Sequence, residues 1–135
     1  MAGWFPRVLL TLSSLILAVG GVMHATAYGK AVAAIAGSNL PVFFGDALKV
    51  FWLGGSATMI LLAAIYSWIA IRPRVAAKSV VVLLAFFPAS TAVLLYAFLG
   101  TFFASHMLLV AAALTFVAGL QFPLFGHQST FGEPS

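Results

Sequence analysis

The sequence predicts an all-α integral membrane protein: a four-transmembrane-helix antiparallel bundle with both termini in the cytoplasm. Of its 135 residues, 64% are hydrophobic and only 6% are charged. A soluble domain carries about 25% charged residues, so this chain lacks the polar groups needed to cover a water-facing surface. The other two observations are the lengths of the uncharged runs and the uneven placement of the basic residues.

The uncharged runs set the number of spans. Residues 8–29 and 50–71 form runs of 22 residues each, and residues 79–132 form one of 54. A helix needs about 20 apolar residues to cross the hydrocarbon core, so the third run must fold back, with Gly100 as the natural break. Backbone groups cannot stay unpaired in lipid, so each span should be helical. Within a single domain, 1–135, the predicted spans are 7–28, 46–71, 79–99 and 103–123.

Two segments depart from a plain span. Residues 31–36 favour a short interfacial helix, or an extension of the first span, that stops at Gly37. In the third span Pro88 removes one backbone hydrogen bond and frees the carbonyl of Leu84. Ser90 and Thr91 are close enough in sequence to re-satisfy the backbone there.

The orientation follows from the basic residues. Arg7, Arg72, Arg74 and Lys78 fall on one side of the predicted membrane, and two lysines, at 30 and 49, on the other. Positive charge in short loops favours the cytoplasmic side, so the 30–45 loop should lie outside a plasma or inner membrane. Aromatic residues should mark both interfaces, with Tyr66 and Phe122 among those at the inner one.

The first span admits a second interpretation. Residues 1–27 resemble a signal peptide with a cleavage site at Ala25-Thr26-Ala27. The apolar run is longer than is usual for a signal peptide, so we expect it to be retained as a span.

Few polar groups lie inside the spans, and most share one depth near the outer end. They form a tentative ligand-binding set: His24, Asp46, Lys49, Trp52, Tyr96 and His106. His24, His106 and Asp46 are the ligand types of a two-histidine, one-carboxylate metal site. The two histidines alone could ligate haem or hydrogen-bond a quinone, and we expect them to act on one ligand together. The cofactor itself is not identified.

The alternative is that these groups are interfacial features. Asp46 and Lys49 lie three residues apart on a helix and can pair with each other. A histidine near the headgroups can bond to water or to a neighbouring carbonyl. Polar groups are tolerated at such positions more easily than at the centre of a span.

Small residues recur at four-residue spacing on two spans. Such stripes allow close approach of membrane helices, within the bundle or onto a partner. The helix-packing residues predicted in this way are Gly21, Ala25, Gly29, Ala111, Thr115 and Gly119.

The composition argues against several classes of function. The basic residues are too scattered for a nucleic-acid surface, and without cysteine there is no disulfide or thiolate chemistry. Four serines, at 13, 14, 56 and 67, have no hydrolase motif around them and should bond back to their own helices, so an enzyme is disfavoured. We expect a non-catalytic accessory or structural subunit, whose partners are the lipid bilayer and other membrane subunits or copies of itself.

Two alternatives stay open. One is a ligand, quinone, haem or metal site at the outer mouth of the bundle. The other is a small transporter, since the chain resembles four-span drug exporters in size and span count. Those exporters depend on a carboxylate embedded in the membrane, whereas Asp46 lies at the end of a span.

Overall fold

The computed structural model describes residues 3–123, which are helical throughout apart from short connections and contain no strand. The helices are α1 (Trp4–Thr26), α2 (Tyr28–Ala36), α3 (Val42–Ile71), α4 (Lys78–Leu99) and α5 (Phe103–Leu120), and a 3-10 turn covers Pro73–Val75. Four helical stretches are long and apolar enough to cross a membrane: α1 with α2, α3, α4, and α5. The predicted all-helical class with four such helices is confirmed.

Helix α1 occupies the middle of the bundle. It packs against α3 on one side and α5 on the other, and α4 packs against α5. Leu10 and Leu17 of α1 are almost completely buried in the core between these helices. Helices α3 and α4 do not pack closely against each other, although only a short turn connects them. The bundle therefore has three tight seams and one loose seam.

Serine hydroxyls join the three central helices. Ser13 donates to the Ala111 carbonyl of α5 at 2.9 Å and lies 2.8 Å from the Thr115 hydroxyl. Its neighbour Ser14 donates to the Ala63 carbonyl of α3 at 2.7 Å and lies 2.7 Å from the Ser67 hydroxyl. The expectation that these serines bond back to their own helices is wrong, because consecutive residues of α1 face opposite neighbours.

The loose seam is bridged by Tyr66 of α3. Its hydroxyl donates to the Leu84 carbonyl of α4 at 2.8 Å, which is the acceptor that Pro88 leaves without an intrahelical partner. Ser90 and Thr91 bond to a different carbonyl, that of Phe87. The expected re-satisfaction by these two side chains is wrong, and Tyr66 is fully buried in the core instead of marking an interface.

The residues of the small-residue stripes differ in how closely they pack against neighbouring helices. A Cβ at Gly21 would lie 2.9 Å from Ile60 of α3, and one at Gly119 would lie 3.1 Å from the backbone nitrogen of Val82 in α4. Ala111 and Thr115 are fully buried, and Ala25 is half-buried. Gly29 falls in α2, after α1 has ended, and outside its own helix backbone no atom of the described residues lies within 4 Å of its Cβ position.

The connections between helices occur at glycine and proline residues. Gly100 stands between α4 and α5 with φ +75° and ψ −160°, a conformation essentially reserved for glycine. Helix α2 ends next to Gly37, although this glycine has ordinary helical dihedral angles. The second long helix begins at Val42, four residues before the predicted start, because Pro41 directly precedes its first turn.

The alternating helices give the bundle two ends. At what we call the Arg7 end, α1 and α4 begin and α3 and α5 finish, and Arg72, Arg74 and Lys78 lie there with Arg7. At the His24 end, α1 finishes and α3 begins, with Asp46 and Lys49 close by. The Arg7 end is tied together by a bond from the Lys78 backbone nitrogen to the Pro123 carbonyl at 2.9 Å.

Candidate functional site

The loose seam opens into a cavity of about 510 Å³ in the half of the bundle nearer the His24 end. All four long helices contribute to its wall. Ligand pockets are typically about 300–1,000 Å³ and largely apolar, with a few placed polar groups. The hydrogen bond from Tyr66 to Leu84 lies on the side of the cavity nearer the Arg7 end.

The wall is almost entirely apolar. Leu62, Met59 and Met107 line it together with Pro88 and Leu95. Among the described residues that form the wall, none carries a carboxylate or an amine. The cavity therefore suits a molecule that partitions into lipid, and the methionines supply a flexible surface that can adapt to its shape.

The polar part of the wall consists of His24 and Trp52, where α1 finishes, and of Thr58 and Thr91, whose hydroxyls donate to carbonyls of their own helices. The His24 and Trp52 rings stack with centroids 4.3 Å apart and planes 14° apart, and the Trp52 indole N–H donates to the His24 carbonyl at 2.8 Å. That carbonyl belongs to the last turn of α1, which lacks intrahelical donors. Trp52 therefore caps the helix and holds the imidazole at the same time.

The imidazole of His24 has one ring nitrogen engaged. Nδ1 lies 2.8 Å from the Ser56 hydroxyl, and that hydroxyl also lies 3.3 Å from the Trp52 carbonyl. Because the hydroxyl has one proton, it donates either to Nδ1 or to that carbonyl. Every buried polar side-chain atom of residues 3–123 has a partner, and Nε2 has none, so Nε2 is accessible. It accepts or donates a hydrogen bond according to the tautomer, and His24 lines the cavity.

The other four predicted site residues lie elsewhere, in two separate pairs. Lys49 donates to Asp46 at 2.9 Å on the exposed surface of α3. The rings of Tyr96 and His106 meet edge to face at 5.5 Å, and His106 Nδ1 lies 2.8 Å from the Phe102 carbonyl. None of these four residues lines the cavity. The six side chains share one end of the bundle without forming one site.

The metal interpretation requires a correction. Within residues 3–123 no three His, Cys, Asp or Glu side chains come together in a group that could hold a metal ion. His24 is held by Trp52 and Ser56, His106 by its own helix, and Asp46 by Lys49. A common depth along the bundle does not bring residues on different helices together laterally.

Most of the cavity wall was not foreseen from the sequence. Met59, Met107 and Leu95 are apolar residues of apolar helices, so nothing in their neighbourhood distinguishes them from lipid-facing positions. Pro88 stands out in the sequence because it removes a backbone hydrogen bond, and Gly20, which also lines the cavity, lies beside the small-residue stripe. These two residues were the available signals.

The comparisons with known proteins return no relative. No protein-family model, no curated protein and no solved structure matches the chain. Its function must be inferred from its own geometry.

Proposed function

We propose that the chain is a multi-pass protein of a plasma or inner membrane, and that its cavity binds a lipid-soluble molecule with one polar headgroup. The cavity of about 510 Å³, with His24 in a predominantly apolar wall, carries this proposal. A quinone-type headgroup is the ligand class that fits, since its carbonyl oxygen can accept from Nε2–H of His24 in the tautomer whose Nδ1 accepts from Ser56. Most of the remaining contacts would be apolar. Haem ligated by both histidines is disfavoured because His106 does not line the cavity.

The surface of the helices supports insertion into lipid. Large apolar side chains are exposed along all four long helices, among them Leu15, Leu61, Leu83 and Val110. Water would penalise such a surface by roughly 25 cal/mol per Å², whereas lipid would not. Four basic residues at the Arg7 end favour that end, and with it both chain termini, on the cytoplasmic side.

The topology can be tested with single cysteines because the sequence contains none. In Lys30→Cys and Arg74→Cys variants, a membrane-impermeant maleimide should label the first from outside intact cells and the second only after permeabilisation. Labelling of both positions from the same side would refute the four-span arrangement.

Ligand binding can be tested through Trp52, which lines the cavity. A Trp4→Phe/Trp68→Phe background leaves Trp52 as the sole tryptophan of the three in the chain. In vesicles, a decyl-benzoquinone should quench its fluorescence saturably. His24→Leu should weaken the saturable component, whereas His106→Leu should not.

A cavity-filling variant provides the sharper control. A Cβ at Gly20 would meet only Met59 Sδ at 3.7 Å and Met107 Cε at 3.9 Å, so Gly20→Leu can project into the cavity without a backbone clash. Gly54, with nothing within 4 Å, provides the matched Gly54→Leu control. Loss of saturable quenching in Gly20→Leu alone would support the site. Quenching that grows linearly with quinone concentration in every variant would refute it.

A non-catalytic accessory or structural subunit is the second proposed role. Its support is the part of the small-residue stripe that residues 3–123 do not cover, at Gly29. Membrane helices pack through such residues, on another subunit or on a second copy. Extraction from native membranes in mild detergent should then yield a complex, and a monodisperse monomer would count against this role. The transporter alternative gains no support, because Asp46 is exposed, paired with Lys49 and outside the cavity.

A further inference from the structure

A second recess lies between α1 and α3 at the Arg7 end, apart from the cavity. Its volume is about 400 Å³, and its wall is mainly apolar, with Val8, Leu12 and Ile71. Arg7 lines one part of it, and two hydroxyl side chains, Thr11 and Ser67, complete the polar part. A cation next to an apolar groove at the end of a lipid-facing helix pair is the arrangement that a phospholipid would match. The phosphate of the headgroup would bind the cation, and an acyl chain would lie in the apolar groove.

Arg7 is held in a fixed orientation. Its Nε donates to the Ala70 carbonyl at 2.8 Å, and one terminal nitrogen donates to the Ile71 carbonyl at 3.3 Å. Both acceptors belong to the last turn of α3, where carbonyls lack intrahelical donors and positive charge is favoured. The α3 terminus therefore orients the guanidinium without consuming its charge.

Donors remain on Arg7 for an anion. A guanidinium carries five N–H donors, and the two carbonyls use two of them. The single ion pair among residues 3–123 is Lys49 with Asp46 at the opposite end, so no carboxylate of the described chain neutralises Arg7. Arginine binds phosphate through paired N–H groups more specifically than lysine does.

The surrounding charge has the same sign. Arg72, Arg74 and Lys78 lie at this end of the bundle, and the Arg72 guanidinium lies 4.7 Å from the centroid of the Trp68 ring. Clustered basic residues beside membrane helices attract anionic lipids of the cytoplasmic leaflet. Charge complementarity thus selects an anionic lipid over a zwitterionic one.

We propose that the groove between α1 and α3 binds an anionic phospholipid, with its phosphate on Arg7 and an acyl chain along Val8 and Leu12. This site rests on the membrane insertion in the proposed function and is independent of ligand binding in the cavity. It fixes α1 against α3 from the lipid side and favours the Arg7 end in the leaflet that is rich in anionic lipid.

The experiment measures the lipids that stay bound to the purified full-length chain. After reconstitution in equimolar phosphatidylglycerol and phosphatidylcholine and re-extraction, native mass spectrometry should find phosphatidylglycerol retained on the wild type. Arg7→Gln should reduce this retention about tenfold, the scale of one lost charge-assisted contact. Arg74→Gln removes the same charge from the same end but outside the groove, so it should reduce retention by less than about twofold through the weaker surrounding field.

Two further variants test whether a loss of retention comes from misfolding or from binding of Arg7 to the C-terminal acid. Leu12→Trp fills the groove at an exposed position while keeping Arg7, and should also reduce retention. Glu133→Gln should have no effect if Arg7 binds lipid instead of the acid in the C-terminal tail. Equal losses in Arg7→Gln and Arg74→Gln, or equal retention of both lipids by the wild type, would overturn the site.

The outcome is separable from that of the cavity. Gly20→Leu should abolish quinone quenching and keep phosphatidylglycerol retention, whereas Arg7→Gln should do the reverse. If the wild type retains both lipids equally but still binds quinone in the cavity, only the lipid site in the groove is refuted. A chain that fails the cysteine-labelling test would remove the basis of both proposals.

Discussion

Tyr66 provides the most direct test of how the loose seam is held. Tyr66→Phe removes only the hydroxyl that donates to the Leu84 carbonyl at 2.8 Å, and it leaves the buried ring in place. A buried acceptor without a partner costs about 1–3 kcal/mol, while interhelical hydrogen bonds in membrane proteins average about 0.6 and reach about 1.7 kcal/mol. We expect the free energy of unfolding to fall by about 1–1.5 kcal/mol, because Pro88 removes the N–H that would otherwise donate to this carbonyl.

The partner substitution isolates this cause. Pro88→Ala restores an N–H four residues after Leu84, so the carbonyl regains an intrahelical donor. In that background Tyr66→Phe should cost about 1 kcal/mol less than in the wild type. The free energy of unfolding of all four proteins can be measured by steric trapping in lipid bicelles.

The double-mutant cycle has a clear failing result. Independent sites add to within about 0.3–0.5 kcal/mol. If Tyr66→Phe costs the same with Pro88 and with Ala at that position, the hydroxyl does not compensate the proline, and the explanation of the seam is wrong.

Two more predictions concern glycines and use the same unfolding assay. Gly21→Ala should lose about 1–3 kcal/mol by overpacking, because its Cβ would lie 2.9 Å from Ile60 and 3.2 Å from the Ser56 carbonyl. Gly29→Ala, the control on the same stripe, should be neutral or gain up to about 1 kcal/mol of helix propensity, and equal losses at both would contradict the packing assignment. Gly100→Ala should lose about 1–3 kcal/mol from backbone strain at φ +75°, and an unchanged stability would show that the turn relaxes freely.

The number of long apolar helices follows from the sequence alone, but their exact limits do not: the second begins at Val42, four residues before the predicted start. Run lengths between charges placed four long apolar helices, and Gly100 marked the reversal between α4 and α5. These features are local, since helix length and turn conformation depend on residues that are neighbours along the chain. Pro88 likewise identified Leu84 as a carbonyl in need of a donor, without revealing which donor would supply it.

The candidate site could be predicted only in part. His24 and Trp52 line the cavity, whereas Asp46 with Lys49 and Tyr96 with His106 form pairs outside it. The sequence gives the depth of a residue along its helix, but not the direction in which it faces. Helices that are apolar all round carry no dominant face from which that direction follows.

Tertiary structure decided which helices are neighbours. Ser13 meets a carbonyl 98 positions away in α5, and Ser14 meets one 49 positions away in α3, which places α1 in the middle and leaves α3 and α4 apart. The cavity and the bridge from Tyr66 both result from that order. Each depends on short-range contacts between distant segments, and such contacts are decided when small residues and hydroxyls fit across a seam, not by the hydropathy of either helix alone.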